Sequence, residues 1–316
     1  MAPLISTRAS ASARGYGGFS VLGDSKFAFV LGGQDNASNP LTSVLKFGFT
    51  SETTSLLSDT LTYASYASAA GVSYEGNRAY KIGGNGSLDA QAYISKWQYS
   101  TGTRTNVSTT ATARGYAPGI SNPVTAGYAW GGEGGSPLNY YASAQKVAYS
   151  NDALSTLSPG GAANTNQAAS ANNGTTAGYR MGGDTANLGK ITFSNETFAI
   201  TGAFLSINLE YSSAAINGTT SAYTMGGQIR EGGGLTNAVQ KFTFSNDSFS
   251  NVSGATLSTS RSLSSAVSNR SSHGYALGGS GSSTVIQKFA FANESISTLS
   301  STLATARANG ANADNY

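Results

Sequence analysis

Six short apolar stretches, each closed by a pair of glycines, punctuate the chain: FAFVLGG, RAYKIGG, AGYAWGG, AGYRMGG, SAYTMGG and HGYALGG. The pairs stand at Gly32-Gly33, Gly83-Gly84, Gly131-Gly132, Gly182-Gly183, Gly226-Gly227 and Gly278-Gly279, in steps of 51, 48, 51, 44 and 52 residues. An aromatic ring precedes the first glycine by three residues each time: Phe29, then Tyr80, Tyr128, Tyr179, Tyr223 and Tyr275. Short apolar runs bounded by glycine read as strands.

A second pattern follows each pair. Lysine opens KFGF, KWQY, KVAY, KITF, KFTF and KFAF, at Lys46, Lys96, Lys146, Lys190, Lys241 and Lys288. Alternation at period two puts Phe242 and Phe244, like Trp97 and Tyr99, on one face of a strand. Polar turns such as SND at 245–247 come next, where Asn and Asp bond their own backbone, and then Ser/Thr-rich stretches such as SISTLS. A third landmark lies 17 or 18 residues before each glycine pair. It is Arg14, Arg114 or Arg261 in three units, and Tyr66, Thr165 or Leu209 in the others.

Each unit thus holds four strands: a small-residue strand, the aromatic-glycine strand, the lysine-aromatic strand and an outer polar strand. No helical periodicity is sustained, and a 44–52-residue period of short strands is that of a propeller. The expected fold is all-β, a single six-bladed propeller over 1–316. Arg307 starts one more first strand, which leaves 308–316 as an extra C-terminal segment, beside the ring or against a neighbour. Residues 3–6 are expected to complete an outer strand of the last blade.

Only 10% of the 316 residues are charged, against the usual quarter or so. The net charge of +3 is spread without a basic run, which argues against nucleic acid as a partner. Absence of cysteine removes disulfides and thiolate metal sites. No apolar run is long enough for a membrane span, and no signal peptide is visible at the start.

Arg114, Tyr128 and Gly131-Gly132, and again Arg261, Tyr275 and Gly278-Gly279, carry a family likeness. In them the chain resembles the kelch repeat family. The resemblance implies four-stranded blades around a channel, with the first strand innermost. Where kelch repeats place a later aromatic pair, this chain has its lysine-aromatic strand. The texture of KFTFSNDSF and LSTSRS is also similar to kelch-type proteins of viruses of marine bacteria, which implies a virion or tail setting.

Candidate chemistry is sparse. His273, the lone histidine, has no second histidine for a metal cluster or an acid–base pair, and reads as a strand or turn residue. Acids follow five of the six lysines by six residues: Glu52, Asp152, Glu196, Asp247 and Glu294. At about 3.3 Å per residue that is roughly 20 Å, too far to pair along one strand. The acids are expected to help the turns, and the lysines to lay their stems between blades with the charge at the rim.

The segments from glycine pair to lysine vary from six to thirteen residues and should gather on one face. The residues expected to touch a ligand or partner are Tyr93, Tyr140, Tyr141, Arg230 and Glu231. No metal, cofactor or catalytic residue is expected. The reading is a noncatalytic structural or adhesive display domain. Its partners would be other proteins of a larger assembly and cell-surface glycans, and its place a virion or particle surface. The alternatives are a glycan-binding module using the variable loops and a propeller glycoside hydrolase.

Overall fold

The computed structural model describes residues 26–66, 70–74, 77–86, 90–107, 112–134, 139–158, 168–230, 232–280 and 283–314. Six antiparallel sheets of four main strands form the blades of a propeller. Blade 2 runs outward through Ala70–Tyr74, Arg78–Ile82, Ile94–Gln98 and Arg104–Asn106. Blade 3 runs through Gly119–Asn122, Ala126–Trp130, Ala144–Ala148 and Leu154–Leu157. Blades 4, 5 and 6 repeat the order from Ala169–Asn172, Ser213–Asn217 and Ser265–Ser268 as inner strands.

Blade 1 is built from both ends of the described chain. Phe27–Leu31, Val44–Gly48 and Thr53–Leu56 are its outer three strands, and Ala311–Asp314 is its innermost. The pairing runs from Ala28 opposite Asp314 to Leu31 opposite Ala311. The tail is therefore the strand that closes the ring, where the sequence left it as an extra segment. Arg14 and residues 3–6, expected to serve as strands, lie outside the described residues.

The two aromatic landmarks explain each other. In all six blades the ring residue of the second strand sits directly opposite the lysine of the third, as Tyr128 does Lys146 and Phe29 does Lys46. Each such ring then packs against the alternating buried pair on the third strand of the next blade, which is two aromatics in four interfaces and an aliphatic with an aromatic in the other two, Val147 with Tyr149 and Ile191 with Phe193. Tyr179 meets Phe242 at 4.9 Å and Phe244 at 5.2 Å, and Tyr223 meets Phe289 at 4.6 Å and Phe291 at 5.4 Å. Between the last and first blades, Tyr275 meets Phe47 at 4.8 Å. Phe242 and Phe244 share one buried face, as their alternation predicts.

The glycine pairs are inter-blade staples. The second glycine N–H donates to the carbonyl that leads into the next blade: Gly33 to Ser65 at 2.8 Å, Gly84 to Arg114 at 2.8 Å, Gly227 to Arg261 at 2.7 Å and Gly279 to Arg307 at 3.1 Å. In blade 2 this places Ser65, not Tyr66, in register with the arginines. Thr165 lies outside the described residues. The arginines cap the turn of the blade they introduce. Arg114 donates to Gly131 O at 2.8 Å, Arg261 to Gly278 O at 2.9 Å and Arg307 to Gly32 O at 3.0 Å. Blade 2 lacks that arginine, and buried Lys81 of its second strand reaches the equivalent oxygen of Gly83. Loss of solvation there pushes the Lys81 ammonium down to about 7.

Candidate functional site

Second strands run toward the glycine pairs and third strands away from them. All the variable segments therefore emerge on one face, and the turns carrying the acids emerge on the other. The lysine row belongs to the blade interfaces. Five of the six lysines reach the acid of the next blade: Lys146 to Glu196 at 2.6 Å, Lys190 to Asp247 at 2.7 Å, Lys241 to Glu294 at 2.7 Å, Lys288 to Glu52 at 2.6 Å, and Lys96 to Asp152. The repeat tyrosine donates to the same carboxylate: Tyr80 to Asp152 at 2.8 Å, Tyr128 to Glu196 at 2.8 Å, Tyr223 to Glu294 at 3.0 Å and Tyr275 to Glu52 at 2.8 Å. In the fifth interface burial and the Asp247 charge raise the Tyr179 hydroxyl.

The stems lie between blades and the charged ends stay partly exposed beside the turns, as expected; what the sequence did not show is that five of these ends have a carboxylate partner. Pairing along one strand is excluded by distance, but the ring brings another unit's acid to five of the six lysines. The acids do serve their turns as well. All five adopt left-handed backbone, with φ between 50° and 58°. Hydrogen bonds from Lys241 hold Glu294 below the usual glutamate range, against the effect of burial.

The exception confirms the logic. Blade 1 carries Phe29 in place of the tyrosine, and blade 2 carries Gly102, at φ 70°, in place of the acid. Lys46 instead lies over the Phe27 ring at 4.1 Å. Phe29→Tyr alone should destabilise, because it buries an unpartnered hydroxyl. Adding Gly102→Asp should recover about 1 kcal/mol as coupling in a double-mutant cycle followed by urea unfolding. Strictly additive effects would show that the three groups do not act as a set.

His273 lies on the turn side. Its Nδ1 is 2.8 Å from Ser272 Oγ, and burial followed by the Lys288 charge lowers its pKa. Among the described residues no group of three His, Cys, Asp or Glu is arranged to hold a metal.

The sequence-derived contact residues divide on the other face. Tyr140 is 46% exposed and pairs with Glu133 in a two-residue ladder. Tyr93 is equally exposed and stacks on Tyr63, with centroids 4.0 Å apart. Tyr141 is half-buried: its N–H donates to Gly132 O at 2.8 Å, and the Arg114 guanidinium lies over its ring at 4.9 Å. Arg230 bridges two acids of its own chain, Asp184 at 3.3 Å and Glu210 at 3.5 Å. Glu231 lies outside the described residues.

Sequence reasoning missed the mouth of the channel on this face. Tyr116 and Tyr211 stand there edge to face, 5.8 Å apart, each two residues after the residue that leads into its blade. Both have left-handed backbone, at φ 53° and 52°. Burial first, and then the Glu210, Glu133 and Asp184 charges, push the Tyr211 hydroxyl up to about 12. Behind them a central cavity of about 170 Å³ runs between the inner strands.

The chain matches no family model and no curated protein. What stands is the ring itself, a fold typical of protein and ligand interaction modules. No described helix is long and apolar enough to cross a membrane.

The far end of the cavity is closed by polar groups. Arg270 donates to Asn172 Oδ1 at 2.9 Å, and Asp314 accepts from Ser268 Oγ at 3.1 Å. Asp314 lies deep in the ring, and the surface it keeps faces the cavity. Burial raises it from 3.8 to about 6, against the lowering effects of Arg270 and Ser268. A folded pKa above the unfolded value means that the fold binds the proton more tightly. The stability contributed is full below pH 3.8 and is lost as pH rises through about 6. Asp314→Asn should remove that slope. Urea midpoints of variant and native protein should therefore diverge in the variant's favour between acid and neutral pH, and parallel curves would contradict the assignment.

Proposed function

We propose that the protein is a noncatalytic display domain: a stiff ring that holds variable loops for a partner within a larger assembly. The observation that carries this reading is the stitching of the blades. Glycine staples and five lysine–carboxylate bridges tie neighbouring blades, while only the loops on the glycine face vary in length. Tyr140 and Tyr93 stand exposed on that face, and aromatic side chains dominate binding energy when a partner buries them. A virion or tail surface is the setting that the sequence texture favours, with synthesis in the cytoplasm of the producing cell before assembly.

The test is a density map of the native assembly together with attachment of Tyr140→Ser and Tyr93→Ser variants. Tyr141 is left intact because it supports Arg114. Ordered copies of the ring, with attachment weakened at least tenfold in a variant, are the expected outcome. A chain found only as free monomer, or steady turnover of a glycoside, would overturn it.

A second reading, a glycan-binding module, is favoured by the aromatic and carboxylate groups gathered at the channel mouth.

A further inference from the structure

We propose that the innermost place in blade 1 is an exchangeable seat, for which residues 19–22 compete with the strand Ala311–Asp314. When residues 19–22 take it, the tail from Arg307 onward is released from the ring. This goes beyond the display reading and does not depend on it.

The register of the other five blades carries the argument. In each of them the ring residue of the second strand faces the inner-strand residue eight places before it. Tyr80 faces Val72, Tyr128 faces Ile120, Tyr179 faces Ala171, Tyr223 faces Ala215 and Tyr275 faces Val267. The same spacing from Phe29 arrives at Val21, and it sets Phe19, Ser20 and Leu22 opposite Leu31, Val30 and Ala28. Those are the partners that Ala311, Asn312 and Asp314 have, with Ala313 opposite Phe29. Residues 19–22 lie outside the described residues, so it is their spacing that assigns them the seat.

The flanking residues agree. Gly18 falls in the place of Gly310, where a Cβ would come within 2.5 Å of Val30 Cγ1. Arg14 precedes the segment as Arg307 precedes the tail strand, and the Arg307 guanidinium caps the Gly32 oxygen at 3.0 Å. The seat admits a branched side chain, since Ile120 and Val267 fill it in other blades.

Opposing effects hold the two strands near balance. Phe-Ser-Val-Leu is the better strand former, because Ala, Asn and Asp are all depleted in strands. A hairpin also closes a short loop, whereas the tail closes one that spans all six blades. The tail is compensated by its own hydrogen bonds. Gln34 and Ala308 exchange backbone bonds at 2.8 and 3.0 Å, the Asn309 N–H donates to Leu263 O at 2.6 Å, and the Tyr99 hydroxyl donates to Asp314 O at 3.1 Å.

The experiment uses the full chain in a double-mutant cycle. Ala313 is 3% exposed, so Ala313→Asp puts a charge into the seat only when the tail fills it. Val21→Asp does the same for the other occupant. Ala313→Asp alone should keep a cooperative thermal transition. Trypsin should cut it after Arg307, a residue 1% exposed in the closed ring, about tenfold faster than it cuts the native chain. Val21→Asp alone should change the thermal midpoint little. Combining the two should lower the midpoint by at least about 2 °C more than the single shifts added together. Additive shifts, or native resistance to trypsin after Arg307 in the Ala313→Asp variant, overturn the proposal. If Ala313→Asp does not fold, cysteine pairs decide, since the chain has no thiol of its own. Under oxidised glutathione, Val30→Cys should form a disulfide with Ser20→Cys as it does with Asn312→Cys. A Ser20 pair that stays reduced where the Asn312 pair closes overturns the proposal as well.

Discussion

Replacing Phe244 by alanine should lower the stability of the ring by about 3–5 kcal/mol. The side chain is 5% exposed and stacks on Tyr179 of the preceding blade at 5.2 Å. Removing it takes a ring from a buried cluster that spans two blades, which also holds Phe242, Met181 and Leu188. Both blades are stitched on every side, so little can move in to fill the space. Urea unfolding with an unchanged m-value should report the loss as a shifted midpoint. Native stability in the variant would show that this face is not where the energy of the interface lies.

Gly278→Ala should be nearly as damaging, although it adds only a methyl group. Gly278 has φ 64°, and a Cβ there would stand 2.2 Å from the Arg307 carbonyl oxygen. The left-handed backbone alone costs an L-residue roughly 1–2 kcal/mol. The carbonyl must then retreat, yet it accepts the Gly279 N–H at 3.1 Å and belongs to the segment that closes the ring. A total on the order of 3 kcal/mol follows if that hydrogen bond is lost with it. Gly254→Ala is the control, since a Cβ there meets nothing within 4 Å. Equal thermal midpoints for the two variants would remove the staple from the account.

The architecture was legible because its signals are local and repeated. A strand needs only alternation, and a glycine pair needs only its own backbone, so Phe242, Phe244 and the six pairs could be placed from spacing alone. The lead-in residue of blade 2 was misplaced by one, at Tyr66 instead of Ser65. Nothing in that stretch resembles an arginine, and only the hydrogen bond from Gly33 marks the position.

The site was much less legible. Tyr140 and Tyr93 are exposed, as their variable loops implied, but Tyr93 stacks on Tyr63, which comes from the link between two blades. Tyr141 and Arg230 have the same composition signal as Tyr140. What distinguishes them is a partner from elsewhere: Arg114 above one ring, and Asp184 and Glu210 around the other side chain. Tyr116 and Tyr211 became a mouth only when their blades were set around an axis.

Period, alternation and turn chemistry determine a ring of six four-stranded blades from residues close in the chain, since these depend on backbone geometry within one unit. Which lysine meets which acid, which strand closes blade 1 and what surrounds the cavity depend on contacts between units. Lys288 and Glu52 lie at opposite ends of the chain and are ion-paired at 2.6 Å only because the ring closes. Ala311–Asp314 is an inner strand only because the open edge of Phe27–Leu31 has unpaired backbone groups for it to satisfy.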